Sequence, residues 1–151
     1  MVPTQLRRPV KNRPTQSSEV RVPHILCVDD DPDIQTTIQM RLRVYDVAVD
    51  HAYYGMQGVV EAAKSRPDMI LMDIAMPNGN GEYLIDYLKS NPETRDIPVV
   101  VLTGMRDPQL KRRMLAAGAE GYLSKPVLFD DLVHEIRQHV DLRLCEEGDE
   151  I

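Results

Sequence analysis

Five short apolar runs, each followed by a stretch with helical spacing, constrain this chain more than any other feature. Ile25-Leu26-Cys27-Val28, Val47-Ala48-Val49, Met69-Ile70-Leu71-Met72, Val99-Val100-Val101-Leu102 and Gly121-Tyr122-Leu123 are too short for helices and are bounded by Pro, Gly or Asp. They read as buried strands. Between them the spacing is helical. Asp31-Pro32 supplies an N-cap and a first-turn proline before Ile34, Ile38 and Leu42. Met56 to Ser65 predicts a helix with Val59, Val60 and Ala63 inward, stopped by Pro67. Leu84, Ile85 and Leu88 mark a third helix, closed by Asn91-Pro92. Asp107-Pro108 opens a fourth with Leu110, Met114 and Leu115 along one face and Gly118 as its stop. The last is expected from Phe129 to Leu144, with Leu132, Val133, Ile136 and Val140 inward. Strictly alternating strands and helices imply a parallel sheet covered on both faces, wound right-handedly. Val99–Leu102, the most apolar run, is expected at its centre.

At 151 residues, one domain with a proper core is expected. With no Trp and one Phe, its volume must come from aliphatic side chains, which suits parallel strands under helices. No apolar run approaches the roughly 20 residues that span a bilayer, and no secretory signal opens the chain. Cys27, within an apolar run, reads as a buried free thiol and favours a reducing, cytoplasmic setting. Charge divides the chain. Residues 1–23 hold five cations against Glu19, a net +4, which leaves −10 for the remainder of a chain totalling −6. The acidic body argues against nucleic-acid binding by the folded part. The expected organisation is a disordered basic leader over 1–22, a folded domain over 23–144 and an acidic tail over 145–151.

What stands at the carboxyl end of each strand carries the chemistry. The first delivers Asp29 and Asp30, the third Asp73, the fourth Thr103, and the fifth is followed by Lys125. Taken singly, each has a bland reading as a cap, a turn residue or a surface charge, and for Asp31 capping is the main role. Together they collect three carboxylates, a hydroxyl and an amine where open α/β sheets bind ligands. Three close carboxylates repel one another without a cation. Few protein ligands and room for water point to Mg²⁺, with Mn²⁺ as the alternative ion. A carboxylate nucleophile beside Mg²⁺ suits formation of an aspartyl phosphate.

Ile25 to Asp30, Met72-Asp73-Ile74-Ala75-Met76-Pro77 with Gly81, Leu102-Thr103-Gly104, and Gly121-Tyr122-Leu123-Ser124-Lys125-Pro126 together resemble the receiver domain of bacterial two-component response regulators. The resemblance covers residues 23 to about 144 and implies a flavodoxin-like, doubly wound (βα)5 fold in a single domain. It implies Asp73 as the phosphoacceptor. Asp30 and Asp29 would ligate Mg²⁺ together with Asp73 and the backbone carbonyl of Ala75. Thr103, Lys125 and Gly104 would face the phosphoryl group, Gly104 by leaving access. Tyr122 would be the aromatic that moves inward as Thr103 engages the phosphate. The implied partners are a histidine kinase or histidine phosphotransfer protein and an effector docked on the last two strand-helix units. Val127 and Leu128 stand where Phe and a polar cap are usual.

The leading expectation is a receiver that catalyses only its own phosphorylation and dephosphorylation and passes its signal to another protein. A Mg²⁺-dependent phosphohydrolase is an alternative, although its usual second Asp would fall at Ala75. A degenerate receiver acting only in binding is another, and the intact Asp30, Asp73, Thr103 and Lys125 set argues against it. Ala75 and Met105 stand where the family's side chains overlook the attacking water. Neither orients water, which predicts a long-lived phosphorylated state. His24, His51, His134 and His139 assemble no site.

Overall fold

The computed structural model describes residues 21–75 and 81–146. Most of the leader, the Met76-Pro77 loop and the end of the acidic tail lie outside the described residues. Five strands form one parallel sheet: β1 His24–Val28, β2 Ala48–Ala52, β3 Met69–Met72, β4 Val99–Thr103 and β5 Gly121–Ser124, in the order β2-β1-β3-β4-β5. The helices are α1 Pro32–Arg41, α2 Gly55–Ser65, α3 Gly81–Ser90, α4 Pro108–Ala117 and α5 Phe129–Arg137. This is the doubly wound α/β architecture that the alternation predicts. β3 is the middle strand. β4, expected at the centre, is interior but lies beside the edge strand β5.

Alternation along the strands divides the core into two layers. Leu26, Val28, Ile70, Met72, Val99 and Val101 face Val59, Ala62, Leu84, Ile85, Leu88, Leu110 and Met114 of α2, α3 and α4. Ile25, Cys27, Met69, Leu71, Val100 and Leu102 face Ile38 of α1 and Leu132, Val133 and Ile136 of α5. Each such fully buried side chain contributes roughly 1.5–3 kcal/mol. The sheet is therefore a rigid platform for whatever stands at its edge.

Local chemistry sets the helix ends. Asp31 caps α1 by accepting from the Asp33 amide at 2.9 Å, and Asp107 caps α4 by accepting from the Gln109 amide at 3.0 Å. Proline occupies the first turn in both. Gly118 ends α4 at φ 120°, a conformation costly for a side chain bearing Cβ. At Gly81 a Cβ would collide with Ile74, so glycine lets α3 start directly against the end of β3.

Three expectations about the helices need correction. Val60 and Leu115 are exposed, because Val59 with Ala62, and Leu110 with Met114, already define the buried stripes of α2 and α4. α5 stops at Arg137 rather than Leu144. The chain then turns back so that Leu142 is buried, Leu144 bridges Tyr45 in antiparallel fashion, and Arg137 lies over the Tyr45 ring. Continued helix would have carried Leu142 away from the core it now covers.

Candidate functional site

Parallel register builds the site. Val28 pairs with Met72, so the next residues, Asp29 and Asp73, leave the sheet side by side. Thr103 pairs with Ser124, which places Lys125 immediately beyond Thr103. The sheet order reverses at β1 and β3, so the acids stand at the switch point where doubly wound sheets form a crevice. Lys125 Nζ donates to Asp29 Oδ2 at 2.7 Å and to Asp73 Oδ2 at 3.2 Å. The remaining oxygens are held by backbone: the Asp31 amide donates to Asp29 Oδ1 and the Ala75 amide to Asp73 Oδ1. Asp29 and Asp73 are buried and Asp30 is exposed.

One oxygen from each of Asp29, Asp30 and Asp73 lies within 4.8 Å of the other two. Three carboxylates against one ammonium leave a formal −2 in a partly buried pocket. Burial pushes the Asp29 carboxyl above its ordinary range, against the pull of the Lys125 hydrogen bond and the Asp31 amide. Burial alone would lower the Lys125 ammonium, but the hydrogen bond to Asp29 and the charges of Asp73 and Asp29 outweigh it and raise the group. Lys125 is thus a fixed cation. All-oxygen donors, excess negative charge and an exposed third carboxylate fit a small hard divalent ion that keeps part of its hydration.

Thr103 is fully buried, and its hydroxyl accepts from the Met105 amide at 3.3 Å. Gly104 has open space where a Cβ would stand, with only Lys125 Cβ at 4.0 Å. Ala75 and Met105 are exposed beside the site. Tyr122 packs on the core layer of α4, and its hydroxyl is buried with no partner among the described residues. Burial, then the charge of Asp107, raises that phenol above its ordinary range. Of the two unusual apolar residues, Val127 lines a cavity of about 220 Å³ between α1 and the start of α5. Leu128 stands at the N-cap of α5, 71% exposed and making no capping bond.

Sequence reasoning missed Gln35. It is buried on α1, and its amide nitrogen lies 3.0–3.1 Å from the carbonyls of Cys27, Asp29 and Ala52. A signal existed: Gln35, Ile38 and Leu42 are spaced i, i+3, i+7, which puts Gln35 on the inward stripe. His51, expected to have no role, holds the other end of the Gln35 side chain through Nδ1 and Oε1 at 2.5 Å.

The sheet order and its acid-and-lysine edge define a doubly wound domain with its site at the switch point, and comparison with known proteins places it in a family. Residues 25–137 match the family model of the response regulator receiver domain. The chain belongs to that family. It is 32% identical over 116 residues to the DNA-binding dual master transcriptional regulator RpaA of Synechocystis sp., covering 77% of this chain and 48% of that protein. It is 35% identical over 121 residues to a gliding motility regulatory protein of Myxococcus xanthus, covering 80% of this chain and 15% of that protein. The chain thus spans half or less of these relatives. Among solved structures, chemotaxis protein CheY4 of Vibrio cholerae superposes with a TM-score of 0.73 at 26% identity, covering 80% of this chain and all of that one. The receiver domain of a Pseudomonas aeruginosa sensor histidine kinase, solved with a magnesium ion coordinated in its active site cleft, superposes with a TM-score of 0.71 at 29% identity. That match covers 79% of this chain and 98% of the other. No helix among the described residues is long and apolar enough to cross a membrane.

Proposed function

We propose that Asp73 accepts a phosphoryl group from a phosphohistidine on a kinase or phosphotransfer protein in the cytoplasm. The observation that carries this reading is Lys125 bridging Asp29 and Asp73 beside a third carboxylate. An Asp73 oxygen forms the new O–P bond as the donor's N–P bond breaks, and the electron pair returns to the imidazole. Asp29, Asp30, Asp73 and the Ala75 carbonyl would hold Mg²⁺, which when bound offsets the negative charge of the phosphoryl oxygens. Lys125 supplies a second, permanent positive charge, and the Thr103 hydroxyl a donor to a phosphoryl oxygen. Thr103 can make that bond while Tyr122 stays inward, which links occupancy of the site to the surface of the last two strand-helix units. An effector reading that surface completes the switch. Ala75 where a phosphohydrolase needs its second acid, together with the family assignment, favours signalling over turnover.

The test is incubation with a small acyl phosphate donor, with Mg²⁺ or with a chelator, followed by intact mass. One added phosphoryl group, labile to hydroxylamine and dependent on the metal, is expected. A protein that stays unmodified with Mg²⁺ present sinks the reading.

A further inference from the structure

We infer that Gln35 is a positioning residue for the cation site: anchored by His51, its carboxamide clamps the peptide between Asp29 and Asp30 and so aims the Asp30 carboxylate. The inference rests on the proposed Mg²⁺-dependent reaction at Asp73.

An amide in an apolar layer is costly unless its hydrogen bonds are made, so a buried Gln is retained where those bonds matter. Here they converge on one place. β1 and β2 part at Val28 and Ala52, the last pair of their ladder, and only the Asp29 amide reaches across to the Ala52 carbonyl. Gln35 Nε2 fills the fork, donating to Cys27 O at 3.1 Å and to Asp29 O and Ala52 O at 3.0 Å each. Two N–H groups serve three acceptors, so one bond is shared. Donating nitrogen on that side leaves Oε1 to accept from His51 Nδ1 at 2.5 Å, and the Gln39 carboxamide lies 2.8 Å from His51 Nε2. Both ends of the side chain are therefore fixed.

The three carboxylates differ in what holds them. Asp29 is gripped by Lys125 and the Asp31 amide, and Asp73 by Lys125 and the Ala75 amide. The Asp30 side chain makes no hydrogen bond among the described residues, so its direction is inherited from its backbone. That backbone begins at the Asp29 carbonyl, the group Gln35 holds from beneath. Losing the clamp takes this donor from three carbonyls, of which that of Ala52 keeps the Asp29 amide, and the fork must shift to recover partners. Asp30 moves with it.

The experiment measures Mg²⁺ affinity by calorimetric titration of the unphosphorylated protein, alongside the melting temperature. Gln35→Met keeps volume and loses the donor. It is expected to weaken Mg²⁺ binding by roughly tenfold, the low end for residues that orient metal ligands. At saturating Mg²⁺ it should still accept one phosphoryl group. Ile136→Val in the same core layer provides the contrast: a lower melting temperature with unchanged affinity. A Gln35→Met protein that melts lower but binds Mg²⁺ within twofold of wild type overturns the inference. Should that variant not fold, His51→Ala decides in its place, with several-fold weaker Mg²⁺ binding in support and unchanged binding against. A wild type that neither binds Mg²⁺ nor takes up a phosphoryl group brings down the receiver chemistry itself. Equal binding by wild type and variants removes only the role of Gln35.

Discussion

The two edges of the sheet use the same residue types to opposite ends. At the amino-terminal edge four acids each meet a match. Asp68 pairs with Arg21 and the His24 amide, Asp50 with the His24 ring, Glu93 with Arg66, and Glu120 with both Lys89 and the Val99 amide. At the carboxyl-terminal edge a single lysine stands among Asp29, Asp30 and Asp73 and pairs with only the first and last. The first edge is a finished structure. The second is complete only when something cationic arrives, and unmatched charge, not abundance of charge, is what marks it as functional.

The largest expected effect breaks the unmatched edge outright. Asp73→Asn should abolish phosphoryl uptake from a small acyl phosphate donor. An acid-labile phosphoryl mass on that variant would show the acceptor to be another residue. Next comes the lifetime of the loaded state. If Ala75 and Met105 overlook the attacking water as proposed, neither holds it, and Ala75→Asn with Met105→Glu should speed decay roughly tenfold or more, against the roughly hundredfold that one well-positioned group contributes. If the wild type already loses its label within seconds, this account of the lifetime is wrong. Smaller effects compare the edges directly. Without Mg²⁺, Asp30→Asn relieves like-charge repulsion and should raise the melting temperature by a few degrees, on the scale of about 1 kcal/mol for an exposed charge. Glu120→Gln, removing a matched charge from Lys89, should lower it by a similar amount. The same sign for both substitutions would erase the contrast. Smallest of all, deleting residues 1–20, which have no periodic apolar face, should leave the melting temperature nearly unchanged.

Much of the carboxyl edge was legible because it depends on register. Once Ile25–Val28 and Met69–Met72 are parallel neighbours, Asp29 and Asp73 must emerge together, and an apolar run ending in an acid says so without coordinates. Caps were legible for the same reason of locality: Asp31-Pro32 and Asp107-Pro108 act within one turn. What escaped depends on contacts distant in sequence. Val60 and Leu115 are apolar enough to be inward, yet the neighbouring helices, not their own spacing, decide which stripe is covered. The end of α5 was overextended because the apolar pattern runs on through Val140 to Leu144. The turn that buries Leu142 is fixed by Tyr45, nearly a hundred residues earlier. Gln35 was passed over because a polar residue on a helix is ordinarily solvated, and its partners come from two other segments, the ends of β1 and β2.

Cys27 has a use beyond its place in the core. Burial, with the charge of Asp29 next and Lys125 opposing, pushes its thiol up to about 12, so at neutral pH it is protonated and sealed within β1. Alkylation must wait for the strand to be uncovered, which makes its rate a clock for local opening two residues from Asp29. In a Cys145→Ser background, a thiol reagent would time that opening directly. Mg²⁺ should slow the clock in proportion to occupancy, because an ion held as proposed by Asp29 and Asp73 would tie β1 to β3. An ion that leaves the alkylation rate unchanged binds without bracing the strand.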